Sequence, residues 1–464
     1  MRTFLALAAL AVVAPLRAGE FKAGAFAQDV TPTKFPISVN GGFADRKATT
    51  ATDPLHARCL VLDDGTTKLA IVVVDSCMIP RELIDAAKAL AEKRTGIPAK
   101  NVLISATHTH TAPTVAGVFQ SDPDQEYCKF LAQKIADGIE TAHKNRVPAK
   151  VAFGTAEEPN QVFNRRWKMK SGVKNLDPFG GDTDKVRMNP PRASADLVEP
   201  AGPTDPRVTV LAVRTADDKP LALFANYSLH YVGDIGPLSA DYFGAFANSI
   251  SAKLKAGKEF VGILSNGTSG DVNNINFRTE AAKALPGERS RLVADAVASA
   301  AVKALDGAEW HAAPVLRAAR AELELGVRKP TADEEKRAAG ILEKAKGREL
   351  RGSEEVYARE TVLLAKYPDT VMVPVQALVV GPFAVGAIPC EVFTEIGLSV
   401  KKNSIHKTTC VVSLANGYYG YLPTPEQHAL GGYETWRARS SFLEVGAAPK
   451  IEKKLNELLN AVAK

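Results

Sequence analysis

The chain predicts a mixed α/β fold, with mixed β-sheets flanked by helices in one large domain spanning residues 19–464. Three observations predict it. Strand and helix patterns alternate early: an apolar run at Leu69–Val74, an amphipathic stretch from Pro80 to Thr95, and a second apolar run from Asn101. Strand, helix, strand is the unit that builds parallel pairs. Other apolar runs are joined by tight turn signals, such as Asp63-Asp64-Gly65, Asp217-Asp218 and Gly381-Pro382, and short turns join antiparallel neighbours. Finally, 45% hydrophobic and 24% charged residues over 464 positions supply an ordinary globular core.

Taken in order, Phe21 to Pro32 has a small-residue strand pattern that breaks at Thr31-Pro32-Thr33. His56 to Leu62 and Leu69 to Val74 flank the first hairpin turn. From Pro80 to Thr95, residues Leu83, Ile84, Ala87, Leu90 and Ala91 share one helical face. The next strand runs through Asn101–Thr114, Tyr127 to His143 is a helix, and Lys150 to Gly154 is a strand. Residues 164–206 are rich in Gly, Pro, Asp and Asn and weakly periodic, which predicts a lid-like insertion. Val208–Arg214 and Leu221–Tyr227 form a strand pair, Ala245–Leu254 a helix, and Phe260–Leu264 a strand that runs into Asn266-Gly267-Thr268-Ser269-Gly270-Asp271. Pro286–Ala304 is helical. Pro330–Lys366, dominated by Glu, Lys, Arg and Ala, predicts a pair of solvated surface helices. Val371–Val380, Phe383–Ile388 and Cys410–Ala415 are strands, and a helix closes the chain.

Residues 1–18 read differently. Arg2 gives a positive start, Phe4–Val13 an apolar run and Leu16-Arg17-Ala18 a cleavage site. That is a secretory signal peptide, too short to span a bilayer, and it predicts a secreted or periplasmic protein. Without it, 56 basic residues face 52 acidic ones, spread without a basic block, which gives no reason to invoke nucleic acid, and no nucleic-acid partner is expected. The five cysteines form no CxxC and are odd in number, so they are expected to be mostly buried fillers, with room for one bridge. No signal fixes an oligomeric state.

The chemistry concentrates at strand ends. In NVLISATHTHTAPT, the strand delivers His108 and His110, spaced i, i+2 and so expected on one face. Asp75 ends the preceding strand, where catalytic groups of such sheets collect. His230 closes LALFANYSLH and Glu391 closes GPFAVGAIPCE. Imidazole and carboxylate are zinc ligands, and three protein ligands plus an open position is the layout of a catalytic zinc. Of the eight histidines, His143, His311 and His406 stand in polar surroundings and are expected at the surface.

Five segments in order, ISATHTHTAPT, NYSLH, SNGTSGDVNN, IPCE and GYLPTPEQHALGGYETW, resemble the neutral, non-lysosomal ceramidase family over roughly Gly24 to Trp436. Members are exported or membrane-associated zinc amidases that cleave the N-acyl bond of ceramide. The resemblance implies one Zn2+ held by His108, His230, Glu391 and Tyr421, with His110, Arg165 and Tyr433 beside it. It also implies a small-molecule or lipid substrate and peripheral membrane contact.

The chain departs from the family pattern in three places, the mildest being Pro389-Cys390-Glu391 where the family has a PGE turn. Asn273 occupies the position of the family's serine; an amide is no nucleophile, but it can donate to an oxyanion. No C-terminal β-sandwich follows. The expected function is therefore a secreted zinc-dependent hydrolase, an amidase acting on an N-acyl lipid through activated water. The alternatives are an esterase, and a lapsed zinc protein that binds lipid or carbohydrate. A (β/α)8 amidohydrolase barrel also uses an HxH strand end, but the many strand pairs with short turns argue against it.

Overall fold

The structure, a computed structural model, describes residues 20–463; the expected signal peptide lies outside the described residues. Eight strands form the first sheet: β1 (Lys22–Asp29), β2 (His56–Asp63), β3 (Lys68–Val74), β4 (Val102–Ala106), β5 (Val147–Glu157), β6 (Arg207–Thr215), β7 (Pro220–Tyr227) and β8 (Val261–Asn266). Their order is β8-β7-β6-β5-β1-β2-β3-β4. Four more, β9 (Leu316–Gly326), β10 (Thr370–Val380), β11 (Phe383–Ala387) and β12 (Thr408–Val412), form a second sheet in sequence order. The helices are α1 (Arg81–Thr95), α2 (Gln125–Lys144), α3 (Asp241–Lys253), α4 (Glu288–Lys303), α5 (Ala332–Ala345), α6 (Gly352–Leu364), α7 (Thr394–Asn403), α8 (Pro425–Leu430) and α9 (Ala447–Ala461).

Side-chain alternation sorts these elements into four layers. In β2 and β3, Ala57, Cys59, Val61, Ala70, Val72 and Val74 pack against α1 and α2. Their neighbours Leu60, Leu62, Leu69, Ile71 and Val73 face the second sheet and meet Leu378, Val380, Phe383, Val385 and Val412. The other face of the second sheet, with Val373, Val375, Ala377 and Ala384, packs on α7 and α9. Two-sided burial is why these strands read as nearly continuous apolar runs.

Within these two sheets three pairs are parallel, β3/β4, β7/β8 and β11/β12, each with a helix (α1, α3 or α7) in its crossover. The expected α/β class holds, and the mostly antiparallel remainder rules out a (β/α)8 barrel. β4 and β8 are opposite edges of the first sheet, yet Asn266 Nδ2 donates to the carbonyl of Thr107 at 3.3 Å. The sheet therefore curls until the C-terminal ends of these edge strands meet.

Three expectations change. Residues 164–206 are not a structureless lid: Arg166–Met169 pairs with Val186–Met188 and Leu197–Pro200, and Phe163–Asn164 pairs with Val272–Asn273. α5 is a solvated helix, buried at Ala338 and Ala345, but α6 buries Val356, Tyr357, Ala358, Glu360 and Leu364. Tyr357 sits among the rings of Phe43, Phe119, Phe179 and Trp436, and Glu360 binds Arg439 at 2.7 Å. Its charges are partnered internally, which composition alone disguises. Lastly, His143, His311 and His406 are half-buried; His311 stacks on Phe153 and His406 donates to the carbonyl of Leu459. The five cysteines are unpaired, four buried and Cys128 partly so.

Candidate metal centre

The ends of three crossover units converge above the sheets. β4 stops at Ala106, and the chain continues past it: Thr107 N–H donates to Val74 O, and His108 N–H to Ser76 O. His108 then takes a left-handed conformation, φ 73°, a costly one for a non-glycine residue. So His108 and His110 meet across a turn, and not by strand alternation as the i, i+2 spacing suggests. Their Nε2 atoms lie 3.2 Å apart. His230, three residues past β7, brings its Nε2 to 3.1 Å from that of His108. Glu391 sits opposite Tyr421 in a short parallel pair, with Oε2 3.1 Å from His108 Nε2.

The far side of each imidazole fixes its tautomer. His108 Nδ1 is 2.7 Å from Cys77 O, His110 Nδ1 2.9 Å from Gly41 O, and His230 Nδ1 3.1 Å from Ser269 O. A carbonyl only accepts, so all three Nδ1 atoms carry the proton and all three Nε2 lone pairs point inward. Holding a ligand imidazole by its other nitrogen is the usual support of a metal site.

Glu391 Oε2 is buried with no hydrogen-bond partner among the described residues, while Tyr418 Oη donates to Oε1 at 3.0 Å. Ring nitrogens and a carboxylate oxygen crowded this closely are satisfied either by a proton shared between His108 and Glu391 or by a cation held among them. His108, His230 and Glu391 offer donor atoms all within 4.8 Å of one another, a borderline N/O set that suits zinc.

The electrostatics of the cluster centre on the His108–Glu391 pair. Burial opposes charge on His108, but the Glu391 carboxylate and neighbouring Cys77 outweigh it and raise its pKa to about 10. Burial, then the positive field of His108 and Arg165, holds His110 well below the usual range. His230 is lowered likewise by burial, Arg165 and His108. Burial pulls Glu391 upward, yet His108 and Arg165 leave its carboxyl below the ordinary value.

Arg165 comes from the rearranged middle segment. Pairing of Phe163–Asn164 with Val272–Asn273 places its backbone against Asp271. Its Nη2 donates to Gly270 O at 2.9 Å and to Tyr421 Oη at 3.0 Å, and its Nη1 lies 3.3 Å from His230 Nε2. Its Nε donates to Glu434 Oε1 at 2.9 Å, and Arg166 takes the other oxygen of Glu434 at 2.7 Å. Tyr421 is therefore next to Glu391, with a guanidinium on its hydroxyl. Tyr433 packs edge-on to Tyr421 at 5.9 Å, and its hydroxyl makes no hydrogen bond among the described residues.

Of the predicted residues, His108, His110, His230, Glu391, Tyr421, Arg165 and Tyr433 come together. Asn273 is buried nearby, but Ile275 N–H binds its Oδ1, its Nδ2 donates to Asn189 Oδ1 at 2.9 Å, and no hydrogen bond joins it to the cluster. Asp75 is also elsewhere: it pairs with buried Arg58 at 2.7 Å. Glu434, Tyr418, and Tyr231, whose ring stacks on His110 at 3.7 Å, were missed. Glu434 lies inside the quoted segment GYLPTPEQHALGGYETW and Tyr418 just before it, where proximity to Tyr433 and Tyr421 was an available signal.

A mostly apolar cleft of about 420 Å³ opens beside Tyr433, lined by Phe43, Leu176, Val186, Met188 and Trp436 together with the charged Lys174, Asp184 and Arg187. A larger groove of about 1040 Å³ lies between α1, α2 and β10. It meets the centre through Tyr418, whose hydroxyl is already given to Glu391.

Fold and site together define a class: a mixed α/β protein with a buried imidazole–carboxylate centre at crossover ends. A scan against protein-family models finds no match. The fold is that of the neutral ceramidases. The crystal structure of neutral ceramidase from Pseudomonas aeruginosa matches with a TM-score of 0.72 at 17% identity, over 95% of this chain and 74% of that one. A ceramidase complexed with C2 matches with a TM-score of 0.73 at 15% identity, over 96% and 75%.

Proposed function

We propose that the protein is an exported zinc-dependent amidase that hydrolyses the N-acyl bond of a ceramide-like lipid. The observation that carries this is the convergence of the Nδ1-anchored His108 and His230 on the Glu391 carboxylate, with His110 3.2 Å from His108. The likeness in fold to proteins named as ceramidases supports the substrate class, and the apolar cleft beside Tyr433 suits an acyl chain. The leader-like residues 1–18 support export. No helix among the described residues is long and apolar enough to cross a membrane, and any lipid surface would be met peripherally.

His108, His230 and Glu391 would hold the ion, with Tyr421 as fourth ligand, its hydroxyl polarised by Arg165. Zinc bound there supplies a Lewis acid and brings the pKa of water toward about 7. His110, kept neutral by burial and nearby cations, accepts a proton from the attacking water and returns it to the leaving nitrogen. The free Tyr433 hydroxyl and Arg165 Nη1 donate to the oxyanion as it develops. Asn273, with its amide engaged locally, orders the Gly270–Asn273 turn beside Arg165.

That engagement favours a second reading, a lipid-binding protein in which hydrolysis has lapsed with the serine. Metal analysis and assay together separate the two. The purified protein should hold about one zinc per chain, and His108→Ala or His230→Ala should release it; unchanged metal content in both variants removes the centre. Zinc-loaded protein should cleave N-acyl lipids, with Asn273→Ser run in parallel. Activity only in Asn273→Ser would establish the lapsed reading.

A further inference from the structure

Loop 40–46 holds His110 at two points, the ring and the backbone carbonyl. Gly41 O anchors its Nδ1, and the Gly41 backbone lies so close that a Cβ there would fall 2.4 Å from the ring. Phe43 turns the other way, into the apolar cleft, within 6.2 Å of the Tyr433 ring. Arg46 returns to the histidine: its Nη2 donates to His110 O at 2.6 Å and to Asn40 O at 3.0 Å.

Arg46 is solvent-exposed, and no carboxylate pairs with it among the described residues. Its acidic neighbour Asp45 is occupied by Ser38 and Lys47. The nearest acids inside the centre are committed as well, Glu434 to Arg165 and Arg166, Glu391 to the cluster. Pinned by two carbonyls, the guanidinium is oriented before any ligand arrives, with donors to spare. One short loop thus supplies a ring of the cleft through Phe43, the anchor of the His110 imidazole through Gly41 and a fixed cation on the His110 backbone through Arg46.

We propose that loop 40–46 selects N-acyl amides whose amine half carries an acid group, of the N-acyl amino acid class. This rests on the amidase reading above. The acyl chain lies in the Phe43–Tyr433 cleft and the carboxylate meets Arg46, which sets the amide beside His110. Hydrolysis then forms a bond from water oxygen to the acyl carbon and breaks the C–N bond. The water proton passes through His110 to the nitrogen, releasing a fatty acid and an amino acid. A neutral ceramide would leave Arg46 unused.

The test separates selection from turnover. N-dodecylsulfonylglycine and its glycinamide counterpart share the chain and lack the scissile N-acyl bond. Calorimetry should show the acid binding about tenfold tighter to the full chain, with the gap narrowing as salt rises. Arg46→Gln should close the gap and Arg46→Lys should keep part of it. Equal binding of the two compounds by the wild type, or a gap that survives in a folded Arg46→Gln, overturns the proposal. In parallel, N-dodecanoylglycine and N-dodecanoylethanolamine are assayed for hydrolysis. Cleavage of neither, with the binding preference intact, removes the amidase reading and leaves the selection by Arg46 standing.

Discussion

Glu391 divides its two oxygens between two tasks. Oε2 faces His108 without a hydrogen-bond partner, and Oε1 is fixed by the Tyr418 hydroxyl. That hydroxyl orients the carboxylate without touching the cation position. Outer partners of metal ligands typically change affinity by about 10–100-fold. Tyr418→Phe should therefore weaken zinc binding by about that factor in a chelator competition while the urea midpoint moves little; unchanged affinity would show that Oε1 needs no support. At this scale the sequence carried the donors well. His108, His230 and Glu391 each follow an apolar strand, and strand ends are where an α/β sheet exposes its chemistry. Tyr418 and Glu434 were not legible as partners, because their meaning depends on Glu391, which follows β11, and on Arg165 and Arg166, which come from the middle segment more than 250 residues before Glu434.

Among elements, the loop from Asn40 to Arg46, which joins the paired strands Ile37–Val39 and Arg46–Ala48, holds both the ring and the backbone of His110. Gly41 has φ +107°, and its missing side chain is what lets the backbone reach the His110 ring. Gly41→Ala must move either the loop or the imidazole. Since His108, His230 and Glu391 are held by other segments, metal content should persist while kcat/KM falls on the order of 100-fold. Parallel loss of zinc would instead make His110 a ligand. The two elements misread or missed from sequence have a common cause. β9, LRAARAELELG, is composed of helix formers but pairs along its whole length with β10 at a sheet edge. α6 looks like a solvated helix because its buried acid, Glu360, has its partner Arg439 almost eighty residues on. In both, tertiary pairing overrides local propensity.

Across the whole molecule, one polar thread crosses the layers. Lys88 on α1 is buried, and its Nζ donates to Asn416 Oδ1 at 2.7 Å. Asn416 in turn donates through its backbone to Ile104 O on β4 and through Nδ2 to Gln376 on β10 at 2.7 Å. The alternation that builds the four layers was readable strand by strand, but neither this thread nor the meeting of β4 with β8 follows from any local pattern. Burial, with Arg320 adding to it, lowers the Lys88 pKa to about 7. Below about pH 7 both folded and unfolded chains carry the proton, and the fold bears the full cost of a buried ammonium. Between there and the ordinary lysine value of 10.5, only the unfolded chain binds it, so stability rises with pH by about 1.4 kcal/mol per unit from this group. Lys88→Met removes that dependence and loses one hydrogen bond to Asn416, a cost of about 1 kcal/mol. The relieved charge outweighs it. The variant should be more stable than wild type at pH 6 by on the order of 3 kcal/mol, and the difference should shrink steadily toward pH 10. Urea midpoints for both proteins across that range cancel every other titrating group. Parallel curves would mean that Lys88 is charged in the fold throughout, with Asn416 and its neighbours solvating it fully.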